Sequence, residues 1–328
     1  MSPVHLVLPA DVDDPARASG GNRYDRALAS ALVARGVEVV EVPLDGVPDD
    51  ALVLVDGLVA QDAPGATVRA AARTRLVVLA HMAFATPGEA AVLPRVAGVV
   101  ATSRHTAGVL VARYGLRWER VRVATPGVEP ADLAVGTPQA GSLLSVTTVV
   151  RDKGHDLLLE ALARVPGRWT LTCAGSLERD PAFVRGVREQ AGRLGLADRV
   201  RLTGVLEGSR LGAAYAGADL VVHPTRREGF GMVVTEALAR GLPVVASAVG
   251  GVPEALGDVD GRVPGILVPP DDPAALGTAL RRWLTDASLR GQLRADAAAR
   301  RTTLTGWDLT AWRVATALDL LAQPGVAA

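Results

Sequence analysis

The sequence predicts an α/β protein of two doubly wound, Rossmann-like parallel sheets, and three observations carry that prediction. Short apolar runs alternate with helix-like stretches from one end of the chain to the other. At 328 residues the chain is too long for one comfortable hydrophobic core. A loose stretch from Pro130 to Ser142, with Gly136, Pro138 and Gly141, reads as a linker and a hinge. The expected domains are 1–138 and 139–304, with 305–328 as a helix packing back on the first domain.

In the first half, strands are expected near 4–8, 37–42, 52–55, 76–80, 97–101 and 121–124, with helices best seen at 22–35 and 104–114. A second series follows near 143–148, 169–174, 200–203, 219–223, 243–246 and 266–268. Trp307 to Ala322 reads as an amphipathic helix turning Trp307, Trp312, Leu318 and Leu321 inward. Two copies of one architecture facing each other leave a crevice at the carboxyl ends of both strand sets, where such folds bind ligands.

Composition narrows the function classes. Hydrophobic residues make up 49% and charged residues 21%, which suits a packed globular protein. Basic and acidic residues balance at 35 each, so no global field draws nucleic acid or an anionic membrane. The single cysteine, Cys173, excludes a disulfide framework or a cysteine metal cluster. The first strand starts at once, without a basic leader, and no apolar run reaches the roughly 18 residues that span a bilayer. A cytoplasmic location is expected. The chain has one lysine, Lys153, in an arginine-rich composition. A lysine retained where arginine is otherwise used hints at a need for a compact ammonium. Ile266, also alone of its type, suggests no such job.

The strongest motif is Glu228-Gly229-Phe230-Gly231, followed by a helical run with Glu236 inside it. Pro224 ends the buried strand before it, and the glycines let backbone approach a ligand. Glu236 lies eight residues after Glu228, about two helical turns, so both acids can face one crevice. Carboxylates there can accept hydrogen bonds from vicinal sugar hydroxyls. Taken alone, the same pattern also fits a tight turn followed by a solvated acid. Ser19-Gly20-Gly21-Asn22 precedes a helix expected from Arg23; by itself it fits either an anion-binding loop or a plain turn. His81 ends a buried strand, where histidines are usually structural; His5 and His223 also read as structural, and His105 and His155 have no clear role. Arg104 and Ser103 are better placed for the crevice. Five arginines between Arg104 and Arg122, beside Tyr114 and Trp118, read as a solvated helix face in preference to a membrane-contacting one.

The run E-G-F-G-M-V-V-T-E-A-L-A-R-G-L-P-V-V-A-S, then Gly250 to Glu254 and G-I-L-V-P-P-D-D, closely resembles the donor-binding half of the family 4 glycosyltransferases. Upstream, L-L-S-V-T-T-V-V-R-D-K-G-H-D-L-L-L-E-A-L, V-V-A-T-S-R-H-T and V-A-T-P-G-V-E-P extend the likeness over most of the chain. The resemblance implies the GT-B fold and a retaining, metal-independent transfer of a sugar from a UDP-, GDP- or ADP-sugar to a hydroxyl acceptor. It implies no cofactor and no metal ligands. Glu236 would bind the ribose hydroxyls and Lys153 the diphosphate. Glu228 would face the donor sugar, with the amides of Phe230, Gly231 and Met232 near its hydroxyls and the β-phosphate. Gly229, Val233, Thr148 and Val205 complete the donor site, the base lying near Gly204 to Leu206. Gly20, Gly21 and Asn22 would meet the donor, and His81 would touch the transferring sugar. The family often has an arginine where this chain has Thr148, five residues before Lys153. Either the diphosphate relies more heavily on Lys153, or Arg151 or Arg226 leans in. A non-catalytic nucleotide-sugar sensor or partner subunit is the alternative on the same fold. The first strand lacks a following G-x-G-x-x-G, which argues against a nicotinamide oxidoreductase.

Overall fold

The computed structural model describes residues 2–14 and 19–321. The chain divides into two compact units, one made of 2–13, 20–127 and 305–321, the other holding 128–304.

The first unit runs β1 (Val4–Val7), α1 (Gly20–Ala34), β2 (Val39–Glu41), β3 (Leu52–Asp56), α2 (Gly57–Asp62), α3 (Pro64–Ala71), β4 (Arg75–Ala80), α4 (Pro87–Val92), β5 (Gly98–Ala101), α5 (Arg104–Tyr114) and β6 (Val121–Val123). Its six strands are all parallel, in the order β2-β1-β3-β4-β5-β6. β3 is buried at every position, as a sheet covered on both faces requires. Its apolar run ends at Asp56, whose side chain accepts the amides of Leu58 and Val59 and so starts α2.

The second unit runs β7 (Ser142–Val146), α6 (His155–Leu162), β8 (Thr170–Ala174), α7 (Pro181–Arg193), β9 (Val200–Gly204), α8 (Gly208–Ala216), β10 (Leu220–His223), α9 (Met232–Leu238), β11 (Val244–Ser247), α10 (Val252–Leu256), β12 (Gly265–Val268), α11 (Pro273–Thr285) and α12 (Ala287–Arg301). Its parallel strands lie in the order β12-β11-β10-β7-β8-β9. Trp283 anchors the core, fully buried, with its indole N–H donated to the Ala140 carbonyl at 2.9 Å.

Each sheet reverses its strand order once, between β1 and β3 in the first unit and between β7 and β10 in the second. Such switch points leave a crevice outside the strand carboxyl ends.

A last helix, α13 (Trp307–Leu321), belongs to the first unit, packing beside α1 and burying Ala311, Val314, Leu318 and Leu321. The Trp307 ring meets Tyr24 edge-on at 5.3 Å. Trp312, expected inward, is instead 50% exposed. The helix seats its aliphatic positions against the sheet: Leu321 lies so close to Gly98 that an added Cβ there would come within 2.7 Å of it.

The stretch read as a loose linker is tied down over its later part. Amides of Val135 and Gly136 donate to the Ala216 carbonyl. The fully buried Asp219 accepts from the amide and hydroxyl of Thr137 and the amide of Ser142, and pairs with Arg294 at 3.1 Å. A buried carboxylate needs this many partners, and the sequence does not mark it as the fastener. Among the described residues, no helix is long and apolar enough to cross a membrane.

Candidate functional site

The switch point of the second sheet gathers most of the donor-side residues singled out above. After β7 the chain makes a short 3-10 turn, Arg151–Lys153, and Gly154 at φ +69° opens α6. A Cβ on Gly154 would lie 2.0 Å from the Pro224 carbonyl oxygen, so only glycine lets this loop rest against the end of β10. Thr225 and Arg226 bind back to the Asp152 carbonyl at 3.0 and 2.7 Å, locking the two loops together. Lys153 is thereby brought onto Glu228, Nζ to Oε2 at 2.8 Å. Lys153 ends the 3-10 turn just before the Gly154 cap of α6.

The same Glu228 oxygen accepts from His223 Nε2 at 3.0 Å. Burial alone would raise the Glu228 carboxyl, but the Lys153 charge and the His223 hydrogen bond outweigh it and hold the group well below its ordinary value. His223, read from its apolar strand as structural, is thus a direct partner of the first motif glutamate. Its place at the strand's carboxyl end was the available signal. Behind it His155 is 1% exposed with neither ring nitrogen hydrogen-bonded, and burial lowers it to about 4, so it is neutral.

Gly229, Phe230 and Gly231 are buried in the turn that follows, and Gly231 (φ +100°) caps α9. Gly250 and Gly251 run directly beneath: Cβ atoms there would lie 1.8 Å from Glu228 O and 2.3 Å from Gly229 O. On α9, Met232 and Val233 are half-buried, while Glu236 is 7% exposed and accepts from the Tyr215 hydroxyl at 2.8 Å. Arg240 lies over the Tyr215 ring at 4.3 Å and donates to the Glu236 carbonyl at 2.8 Å. Glu236 is therefore a held acid, not a solvated one, and Tyr215 is a functional candidate missed by the sequence reading. Val205 is half-buried just beyond β9, and Thr148 half-buried just beyond β7. Arg226 does not compensate for Thr148. Its guanidinium is committed to Asp156 at 2.8 and 2.9 Å, to Asp271 at 2.7 Å and to the Arg151 carbonyl at 2.6 Å. The Arg151 side chain is exposed.

The first sheet's switch point carries a different group. Gly20, Gly21 and Asn22 form the first turn of α1, where a preceding loop was expected. Gly20 faces open space, but a Cβ on Gly21 would lie 3.2 Å from the His81 ring. Asn22 donates to the Asp11 and Val12 carbonyls at 3.4 and 3.3 Å, holding the loop before α1. His81, just past β4, places Nε2 2.9 Å from Asp25 Oδ1 and 3.2 Å from Asp56 Oδ2. Burial would lower this imidazole, but Asp25 and then Asp56 overcome it and push it up to about 10. Burial raises the Asp25 carboxyl, with His81 acting against it. The three groups offer ligand atoms within 4.8 Å of one another, the one such group found among the described residues. His105 and Arg104 are exposed on α5, and Ser103 is its N-cap, donating to Thr106 Oγ1 at 3.0 Å.

Residues 140–286 match the family model described as "Glycosyl transferases group 1". The chain is 35% identical over 256 residues to the D-inositol 3-phosphate glycosyltransferase of Xylanimonas cellulosilytica, covering 72% of this chain and 59% of that one. It is 34% identical over 255 residues to the Salinispora arenicola protein of the same name, covering 68% of this chain and 54% of the relative. The chain thus spans little more than half the length of these curated relatives. Among solved structures, Anabaena HepE in complex with UDP and glucose aligns with a TM-score of 0.76 at 20% identity, over 96% of this chain and 99% of that one. Sucrose-phosphate synthase from Thermosynechococcus elongatus aligns with a TM-score of 0.75 at 23% identity, over 96% and 98%. The fold is GT-B, and residues 140–286 carry the group 1 glycosyl transferase pattern, in keeping with the family 4 enzymes that the sequence resembles.

Proposed function

We propose that this protein is a retaining glycosyltransferase that moves a sugar from a nucleoside-diphosphate sugar to an acceptor hydroxyl without a metal ion. The observation that carries the reading is the Lys153–Glu228–His223 cluster at the switch point of the second sheet. A departing nucleoside diphosphate gains negative charge, and a fixed ammonium stabilises that charge where it develops. Without donor, Glu228 neutralises Lys153. An arriving diphosphate shares the ammonium, and Glu228, anionic throughout, turns to the hydroxyls of the donor sugar. Glu236, fixed by Tyr215, accepts from the ribose hydroxyls. The amides of Phe230, Gly231 and Met232 lie near the sugar hydroxyls and β-phosphate, and Gly229 and Val233 flank them. Val205 and Thr148 border the nucleotide. Gly20, Gly21 and Asn22 meet the donor, and His81 contacts the transferring sugar. The acceptor hydroxyl attacks the anomeric carbon from the face the nucleotide leaves, and the departing phosphate takes the hydroxyl proton. This balances without a covalent intermediate. HepE was solved with UDP-glucose, which makes a UDP-sugar the first donor to try.

The test supplies UDP-, GDP- and ADP-glucose with a panel of hydroxyl acceptors in EDTA, and measures free nucleoside diphosphate and the anomeric configuration of the glycoside product. Release of one diphosphate with the donor's configuration kept is the expected result. An inverted product, or turnover only with added magnesium, contradicts the mechanism. Binding without release points to a non-catalytic sensor.

A further inference from the structure

We propose that Asp25 and Asp56 are positioning residues that clamp His81 from two sides and fix it as a charged hydrogen-bond donor, so that it serves the transferring sugar as an electrostatic group and never as a base. The inference rests on the reading of His81 above and adds two acids that no motif contains.

The geometry carries it. His81 Nε2 is within hydrogen-bonding distance of both Asp25 Oδ1 and Asp56 Oδ2, at 2.9 and 3.2 Å. A single ring nitrogen set between two carboxylate oxygens is the natural donor to both, since a carboxylate oxygen accepts and an imidazole N–H donates. Both acids are 1% exposed, so their negative charge is poorly screened by water and falls on the ring. Asp56 is itself immobilised, because its other oxygen accepts the Leu58 and Val59 amides at 2.7 and 3.2 Å. The ring has little freedom: Tyr24 meets it edge-on at 5.2 Å, Gly21 lies so close that a Cβ there would come within 3.2 Å of the ring, and Thr102 donates to the His81 carbonyl at 2.9 Å. Only 17% of the side chain is open.

The other ionisable groups nearby do not supply the balancing charge. Arg26 on α1 is bound to Asp13 and Glu41, with only a weaker effect on Asp25. Tyr24 on α1 donates to the Ala124 carbonyl, and burial pushes its phenol up, so it stays neutral. Arg313 on α13 donates to Thr125 Oγ1 and acts on Tyr24. The negative charge on His81 therefore comes from Asp25 and Asp56, and a ring pushed up to about 10 cannot take a proton from a hydroxyl near neutral pH.

The five histidines of the ligand-free protein can be followed by nitrogen NMR, with the His81 signal identified by its loss in His81→Gln. The wild-type ring should remain doubly protonated beyond about pH 8, and Asp25→Asn and Asp56→Asn should each lower its midpoint by about one unit or more. With the donor that turns over above, each variant should lose about 10- to 100-fold in kcat, with donor KM within about twofold and a new loss of rate as pH rises through neutrality. A wild-type His81 that titrates near 6.5, or a midpoint unmoved in both variants, overturns the clamp. A shifted midpoint with unchanged kcat overturns the positioning role. Displacement of the ring proton by added zinc or magnesium would make the cluster a metal site and overturn both. If a variant fails to fold, the wild-type titration still decides the clamp. If no donor turns over, the glycosyltransferase reading has failed, and the titration stands apart from it.

Discussion

The two sheets reverse their strand order once each, yet the switch points carry opposite electrostatic designs. In the second unit one carboxylate, Glu228, lies between an ammonium and an imidazole N–H. In the first unit one imidazole, His81, lies between two carboxylates. Burial works against the charged form at both places, and the partners win at both, moving Glu228 down and His81 up. The strand orders differ, but the single reversal that each sheet makes fixes where polar groups converge and not their sign. The second switch point offers a cation to an anionic leaving group; the first presents a single cation held by its own acids.

Removing Lys153 should produce the largest asymmetry between the two places. Lys153→Ala should cost about 2–4 kcal/mol of transition-state stabilisation, read as a fall in kcat/KM. Lys153→Arg should cost at least about 1 kcal/mol if a compact ammonium is needed. Wild-type kinetics in Lys153→Arg would remove the composition argument for that residue.

The pH dependence of stability should split the units in opposite directions. His81 is raised from 6.5 to about 10, so its contribution is complete below pH 6.5 and is lost as pH rises toward 10. Glu228 is lowered from 4.5, so its contribution is present above that value and is lost on acidification. His155, lowered from 6.5 to about 4, makes the second unit lose stability as pH falls through that window, because the unfolded chain takes the proton first. Hydrogen exchange followed unit by unit should show the first unit loosening in base and the second in acid. Parallel pH profiles in both units would break the comparison.

Smaller effects sharpen it. Tyr215→Phe removes the hydrogen bond to Glu236 and should weaken nucleoside diphosphate binding by about 1 kcal/mol, measured by calorimetry. His155→Leu removes two buried nitrogens that lack hydrogen bonds, and should raise the melting free energy by about 1 kcal/mol while flattening the acid limb.

How much of this could be read from the sequence depends on chain distance. The central strands, such as β3, β10 and β11, appear as apolar runs because a sheet covered on both faces demands it, whereas the edge strands β2 and β9 are only partly buried and mixed in character. Glu228, the glycines after it and Glu236 lie within one short segment, and Lys153 stood out as the lone lysine. Tyr215 was hidden because its partner lies 21 residues away, and Asp25 because 56 residues separate it from His81. Only folding brings such pairs together. The first turn of α1 was misplaced because two glycines mask a helix start. A partial signal existed for Asp56 and His223, since each is a polar residue closing a buried strand. That position, next to a switch point, is where ligand-facing groups accumulate.

The most direct test is thermal unfolding of the wild type and Lys153→Ala in EDTA with UDP, GDP and ADP. One diphosphate should stabilise the wild type by about 2.7 kcal/mol at 100 times its dissociation constant, and Lys153→Ala should lose most of that gain at the same concentration. Stabilisation that needs magnesium, or that survives undiminished in Lys153→Ala, would contradict the account.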